Sequence, residues 1–413
     1  MDFYPRWQAL ALDGLIEEEM ILLVQGPRGV GKSTLLRGFA AGRAVEVIDF
    51  GDDQLLAVAA EDPAAYLDGR ADPVLVDEFQ RLPSLLRVAK QSVDRRPRRG
   101  AFVLTGSTTR LLPEGSESLA GRSHDLILWG LSQGELRGQR ESFVDDLFDR
   151  PASLLAIRDA ASDRSSYVRM VARGGFPEAI RRQREDARRR WFLDYAARVA
   201  DRDLASLVRL REPRLLSRLL RSASARTAQI LNVTDLASDL DTTRETIGAY
   251  LSLLESVFLL DRLPAYSRNL NARLARHPKL HVVDSGLAAA LSNLDEGTMG
   301  RSARFGSLLE TFVLGEVRKQ LGWSSVVADA YHYRDRDGHE VDIVLEDSGG
   351  RVVGIEVKAG RAVGRADAGG LVHLASRLGE DFVHGVVLYT GSASIRLSDD
   401  ARITAHPVSA LWH

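Results

Sequence analysis

Residues 20–34 read Met-Ile-Leu-Leu-Val-Gln-Gly-Pro-Arg-Gly-Val-Gly-Lys-Ser-Thr, and this stretch decides the fold. A short apolar run ends at Gln25. Gly26-Pro27-Arg28-Gly29-Val30-Gly31-Lys32-Ser33 then satisfies G-x-x-x-x-G-K-[ST] at every position, with Thr34 following. The run before the glycines has strand character and Leu35-Leu36-Arg37-Gly38-Phe39 after them has helical character, the context that gives this motif meaning. Glycines let backbone N–H groups turn inward around a polyphosphate at the positive end of the next helix. Lys32 is placed to reach the β- and γ-phosphates, and the Ser33 hydroxyl to complete a magnesium shell. The expected ligands are therefore ATP and Mg2+, held by Gly26, Pro27, Arg28, Gly29, Val30, Gly31, Lys32, Ser33 and Thr34.

A phosphate loop calls for a second acidic strand. Val74-Leu75-Val76 runs into Asp77-Glu78, so Asp77 is expected in the metal shell and Glu78 beside the attacking water; the plainer reading of Glu78 is a helix cap. A passive binder has no need of the second carboxylate, which favours hydrolysis. The apolar run Phe102–Thr105 ends in Thr105-Gly106-Ser107, placing Ser107 where a γ-phosphate sensor would stand. Phosphoryl transfer also uses positive charge at the leaving oxygens; Arg122 is the first candidate for such a finger and Arg110 the second. A finger serving a neighbour's nucleotide implies a homo-oligomer. Further runs at Val45–Phe50 and Asp125–Trp129 complete five short strands alternating with helical segments, the pattern of a parallel α/β sheet.

The 413-residue length fits about three domains of ~150 residues. A net charge of −2 names no partner by itself, and the lack of cysteine removes disulfides, thiolate metal sites and thiol nucleophiles. No stretch approaches the roughly 18 apolar residues of a membrane span. With Glu17 to Glu19 near the start, the expectation is a cytoplasmic protein without a membrane partner. Only Lys32, Lys90, Lys279, Lys319 and Lys358 are lysines among 55 basic residues. A lysine kept against such a bias marks a place for a compact ammonium that a planar guanidinium cannot imitate.

Beyond residue 140 the chain turns helical and arginine-rich. Arg181-Arg182-Gln183-Arg184-Glu185-Asp186-Ala187-Arg188-Arg189-Arg190-Trp191 could track a nucleic-acid backbone with Trp191 stacking on a base; the plainer reading is a solvated helix face. From Thr234, expected to cap a short helix, a second helix runs from about Thr243 to Val257, with Leu236, Leu240, Ile247, Tyr250, Leu251 and Leu254 on one apolar face. This has the form of a helix-turn-helix with a wing, presenting Arg244, Thr246 and Ser252 outward.

Near the C-terminus, Asp342 and Glu356-Val357-Lys358 follow a D-(x)n-E-x-K arrangement similar to that of PD-(D/E)xK nucleases. Residues at i and i+2 of a strand share a face, so Glu356 and Lys358 converge while Val357 packs inward. Asp342, Glu356 and helical Glu310 form a candidate metal set, with Lys358 beside them and Glu340 behind. Charged residues alternating along an edge strand give the same pattern without chemistry.

Taken in order, the phosphate loop, Leu-Val-Asp-Glu-Phe-Gln at 75–80, Leu-Thr-Gly-Ser at 104–107, Ser-Leu-Ala-Gly-Arg at 118–122, Leu-Ser-Gln-Gly-Glu at 131–135, Gly-Gly-Phe-Pro-Glu at 174–178 and Asp-Ser-Gly-Leu at 284–287, followed by Glu-Val-Asp-Ile-Val and Ile-Glu-Val-Lys, resemble the AAA+-like bacterial and archaeal ATPases with a C-terminal DUF4143 region. The resemblance implies a P-loop ATPase core (1–140), a helical region (141–226), a winged-helix-like region (227–299) and a restriction-endonuclease-like α/β domain (300–413). Two functions fit: an ATPase acting on DNA or a DNA-bound complex, or a nucleotide-driven switch whose later modules make protein contacts only.

Overall fold

The computed structural model describes residues 4–108, 119–159, 162–204, 212–269, 271, 273, 276–398 and 402–413. Arg110 lies outside them. The chain divides into two compact units, one of residues 1–131 with 256–258, the other of 132–255 with 259–413.

The first unit is built on five parallel strands, β1 (Ile21–Gln25), β2 (Val47–Asp49), β3 (Val74–Asp77), β4 (Phe102–Gly106) and β5 (Ser123–Ile127), in the order β2-β3-β4-β1-β5. Every residue of β1, β3 and β4 is buried, as expected for strands covered on both faces. Ile21, Ile48, Phe50, Val76, Phe79, Phe102 and Leu104 join one core with Leu85, Leu86, Ala89 and Val93 of the helix Ser84–Arg95. The fifth strand starts at Ser123, two residues before the expected run. It is an edge strand with an exposed His124-Asp125, so its beginning carries no apolar signal. The phosphate loop leaves the C-terminal end of β1, between β4 and β5, and the helix Lys32–Ala41 follows it.

In the second unit, the helix Pro213–Ala225 precedes β6 (Gln229–Ile230), the helices Val233–Asp239 and Arg244–Ser256, and the pair β7 (Leu260–Leu263) and β8 (Lys279–Val282). These three strands form an antiparallel sheet in the order β6-β8-β7. Leu236, Leu240, Ile247, Tyr250, Leu251 and Leu254 are all buried. Asn232, not Thr234, caps the first of the paired helices, its side chain accepting from Thr234 N at 3.0 Å and Asp235 N at 3.3 Å. The helix therefore starts one residue before the expected cap, because a short amide two residues upstream satisfies its free N–H groups.

The helix Phe305–Leu321 leads into a six-stranded mixed sheet of β9 (Ala328–Arg334), β10 (Glu340–Asp347), β11 (Val352–Lys358), β12 (Phe382–Tyr389), β13 (Ile395–Arg396) and β14 (Ile403–Pro407), ordered β13-β14-β12-β11-β10-β9. The stretches set apart in the sequence at 141–226, 227–299 and 300–413 share this one unit. Buried polar ties join them. Asp284 accepts from Gly175 N at 2.7 Å and Leu287 N at 2.9 Å, which brings the Gly-Gly-Phe-Pro-Glu and Asp-Ser-Gly-Leu blocks together. A Cβ at Gly174 (φ +65°) would stand 2.3 Å from that carboxylate, so only glycine fits. Ser132 and Glu135 make a reciprocal helix cap, and Glu316 accepts from Gln133 N at 2.8 Å. Those three blocks therefore carry the fold. No described helix is long and apolar enough to cross a membrane.

Candidate nucleotide site and carboxylate cluster

Lys32 is buried, and its ammonium donates to the carbonyl oxygens of Gly26 at 2.8 Å and Pro27 at 2.9 Å. Burial pushes this amine down to about 8, against the opposing pull of Glu78 and Asp77. Gly26, Gly29 and Gly31 all have positive φ. A Cβ at Gly26 would lie 2.1 Å from the Leu128 carbonyl oxygen, so the loop passes too close to the next strand for any side chain. Val30 is buried as the loop's apolar anchor, whereas Arg28 and Thr34 are exposed and Ser33 is half-buried at the start of its helix. Arg6 was not anticipated. Its guanidinium donates to Val30 O at 2.6 Å and Trp129 O at 2.7 Å, bracing the loop from the N-terminal segment.

Asp77 ends β3 fully buried; Thr105 Oγ1 donates to its Oδ1, and Glu78 N donates to the same oxygen at 3.1 Å. Glu78 itself has φ +58°, a left-handed conformation uncommon for a side-chain-bearing residue and found where geometry is over-determined. Its carboxylate accepts from Gln80 Nε2, which also lies 3.2 Å from Ser107 Oγ. Gln80 thus ties the carboxylate after β3 to the hydroxyl after β4. The sequence placed Gln80 inside a motif but assigned it no role.

Arg122 lies elsewhere. Its carbonyl accepts from Ile21 N at 3.1 Å, at the beginning of β1, while the phosphate loop leaves that strand's far end. Its guanidinium is paired with Asp94 at 2.5 Å. A role toward its own chain's nucleotide is therefore closed by geometry, and only a role toward a neighbouring chain stays open.

In the second unit, Glu310, Asp342, Glu356 and Lys358 are brought together. Strands β10 and β11 pair antiparallel with Ile343 opposite Ile355, which sets Asp342 beside Glu356. Asp342 N donates to Glu356 Oε2 at 3.3 Å, Val357 N to Asp342 Oδ2 at 2.9 Å, and Lys358 Nζ to Glu356 Oε1 at 2.7 Å. The sequence placed a metal among these carboxylates. The structure places there the buried ammonium of Lys279, from β8, 2.8 Å from Glu310 Oε1 and 2.9 Å from Asp342 Oδ1. Burial, then the Asp342 charge, pushes Glu310 well up; the same two causes push Glu356 up to about 7. Glu340 is outside the cluster, paired with Arg334 at 2.6 Å. The signal that could have found Lys279 was its rarity, since it is one of five lysines.

A parallel sheet ordered β5-β1-β4-β3-β2, a glycine-rich loop on its inner strand and a carboxylate pair at the end of β3 define a P-loop NTPase core. A family model described as an AAA domain matches residues 18–137, one for a domain of unknown function, DUF4143, matches 305–411, and another, DUF8612, matches 164–298 across the division expected at 226. These matches put an AAA-type P-loop NTPase core in the first part of the chain and a DUF4143 region at its C-terminus. Uncharacterized proteins of Mycobacterium tuberculosis and Mycobacterium bovis are each 28% identical over 389 residues, 92% of this chain and 78% of theirs. Similar solved structures include a Walker-type ATPase of Pyrococcus abyssi, with 17% identity, TM-score 0.42, and coverage of 70% of this chain and 96% of that one. The Thermotoga maritima RuvB Holliday junction branch migration motor matches with 21% identity, TM-score 0.27, and coverage of 62% and 87%.

Proposed function

We propose that this chain binds and hydrolyses Mg2+-ATP, and that turnover drives a conformational switch read through protein contacts. The observation that carries hydrolysis is the Glu78–Gln80–Ser107 connection. Asp77 is taken up by Thr105 and the Glu78 amide, whereas Glu78 is held apart by a neutral amide that also reaches Ser107. One carboxylate is thereby fitted to a metal shell and the other to a water. The loop fits the ligand: positive-φ glycines, a cradle too tight for a Cβ, and a buried lysine that donates to the loop carbonyls of Gly26 and Pro27. Lys32 and Ser33 with Asp77 would hold the nucleotide and its magnesium. The ion would supply charge neutralisation at the phosphates. Glu78 would accept the proton of the attacking water, and Ser107 would answer to the terminal phosphate through Gln80. Arg122 is proposed as a finger toward a neighbouring chain, which makes the working form a homo-oligomer.

The switch reading is favoured over action on DNA by the state of the basic helix. Arg181 and Arg182 pair with Glu178, Arg184 and Arg190 with Asp186, and Arg188 with Glu296; Arg189 donates to Asn293. Trp191 is stacked on Tyr195 at 5.2 Å and packed on Phe176 and Phe192, so its ring is spent on the protein. The order of helices and strands from 213 to 282 supports a winged-helix reading. Two of the three outward side chains are nonetheless engaged, Thr246 with Thr243 and Ser252 with Arg262. Affinity for DNA rests on cations free to neutralise phosphates. Turnover measured with and without single- and double-stranded DNA at low salt tests this. Equal rates are expected, and stimulation by DNA would return the first reading.

A further inference from the structure

The carboxylate cluster of the second unit has the residue types of a metal site and a lysine in the middle of it. Lys279 is 4% exposed. Two of its three N–H donors go to Glu310 Oε1 and Asp342 Oδ1, at 2.8 and 2.9 Å. A magnesium or manganese ion shared by those residues would stand about 2.0–2.2 Å from the same two oxygens. Ammonium and ion therefore compete for one position, and like charge forbids both at once.

The other oxygens of Asp342 and Glu356 also have partners. Asp342 Oδ2 accepts from Val357 N, Glu356 Oε2 from Asp342 N, and Glu356 Oε1 from Lys358. Three carboxylates face two ammonium groups, leaving an excess of one negative charge. A divalent ion added beside both ammonium groups would overshoot that single charge. His281, the other basic group against Glu310, has its Nε2 4.0 Å from Oε1, and burial holds that ring neutral. Nothing in this charge balance calls for a divalent ion. Among the described residues, the histidine and carboxylate side chains whose ligand atoms all lie within 4.8 Å of one another are Asp335, His339 and His373. Those two imidazoles are stacked 3.9 Å apart with 3° between planes, and His339 Nδ1 and His373 Nε2 share Asp335 Oδ2 at 2.9 and 3.0 Å, away from the Glu310–Asp342–Glu356 cluster.

We propose that the ammonium of Lys279 is the resident cation of the Glu310–Asp342–Glu356 cluster, in place of a divalent metal, and that it fastens β8 to the helix Phe305–Leu321 and to β10. The C-terminal region then keeps a nuclease-like arrangement of side chains as a structural junction, without metal-dependent cleavage. This inference does not rest on the nucleotide reading.

The test is Mn2+ binding to the tag-free, nucleotide-free full chain, followed by the loss of the free-ion electron paramagnetic resonance signal. The parental protein, Asp342→Asn and Glu356→Gln are expected to bind the same number of equivalents. Lys279→Ala should gain one equivalent, and adding Asp342→Asn should remove it again. A parental equivalent lost in Asp342→Asn or Glu356→Gln would overturn the proposal. So would a folded Lys279→Ala protein that gains none. If Lys279→Ala does not fold, the comparison of parent with Asp342→Asn decides alone.

Discussion

The ammonium of Lys32 donates to the carbonyl oxygen of Gly26 at 2.8 Å, so the lysine placed to meet a polyphosphate now braces its own loop. Nucleotide entry must exchange that carbonyl for a phosphate oxygen, a stronger, charge-assisted partner. Lys32→Ala should weaken ATP binding by about 3 kcal/mol, roughly 100-fold, because the buried phosphate charge loses its counter-ion. Titration with a fluorescent ATP analogue measures this. An affinity within threefold of the parent would show that the lysine does not face the phosphates.

Burial lowers the Lys32 amine to about 8, which gives ATP capture a pH limit. Below that pH the free protein carries the ammonium that the phosphates require, and above it the amine is increasingly neutral. Binding then needs proton uptake, so kcat/KM should be flat below pH 8 and fall toward tenfold per unit above it. A profile still flat at pH 9.5 would contradict the assignment.

Gln80 holds Glu78 without sharing its chemistry, so its loss should be milder. Gln80→Ala is expected to lower kcat about tenfold with KM little changed, because the carboxylate stays but is no longer oriented. A rise in KM with kcat unchanged would mean that Gln80 acts on nucleotide binding instead.

Arg122 and Asp94 are each about a third or more exposed, and such a pair contributes at most about 1 kcal/mol. Arg122→Ala should leave the melting temperature almost unchanged. Its effect should appear in turnover, which in the parent should rise per chain with protein concentration. Concentration-independent turnover by a monomer would remove Arg122 from catalysis.

The two lysines of the carboxylate cluster should differ in their weight. Removing one partner of a buried ion pair leaves an uncompensated charge, which costs about 3–5 kcal/mol. Lys279→Met should approach that, whereas Lys358→Met, whose side chain is a third exposed, should cost about 1 kcal/mol or less. Urea denaturation followed by circular dichroism separates them, and equal losses would argue against Lys279 as the central cation.

What the sequence made legible was local. The phosphate loop, Asp77-Glu78 and the i, i+2 spacing of Glu356 and Lys358 are short patterns whose geometry follows from strand and loop conformation alone. Contacts between distant segments left no such trace. Arg6 meets Trp129 across 123 residues, and Lys279 meets Asp342 across 63. The polar start of β5 hid because an edge strand needs no apolar run. The arginine-rich stretch left a nucleic-acid face open beside the plainer solvated face because Glu178 and Glu296, which pair with Arg181, Arg182 and Arg188, lie outside it. The lysine scarcity was a clue from composition that reached further than the motifs: Lys279 stands at the second site beside Lys358, as Lys32 does at the first.

Hydrolysis depends most directly on Glu78 as the group that sets the water. Phosphate release from ATP with Mg2+, measured alongside ATP binding for the parent and Glu78→Gln, tests it. The expected result is parental affinity in both proteins, with release at least 100-fold slower in Glu78→Gln. A variant that hydrolyses at the parental rate, or a parent that binds ATP and releases no phosphate, would contradict it.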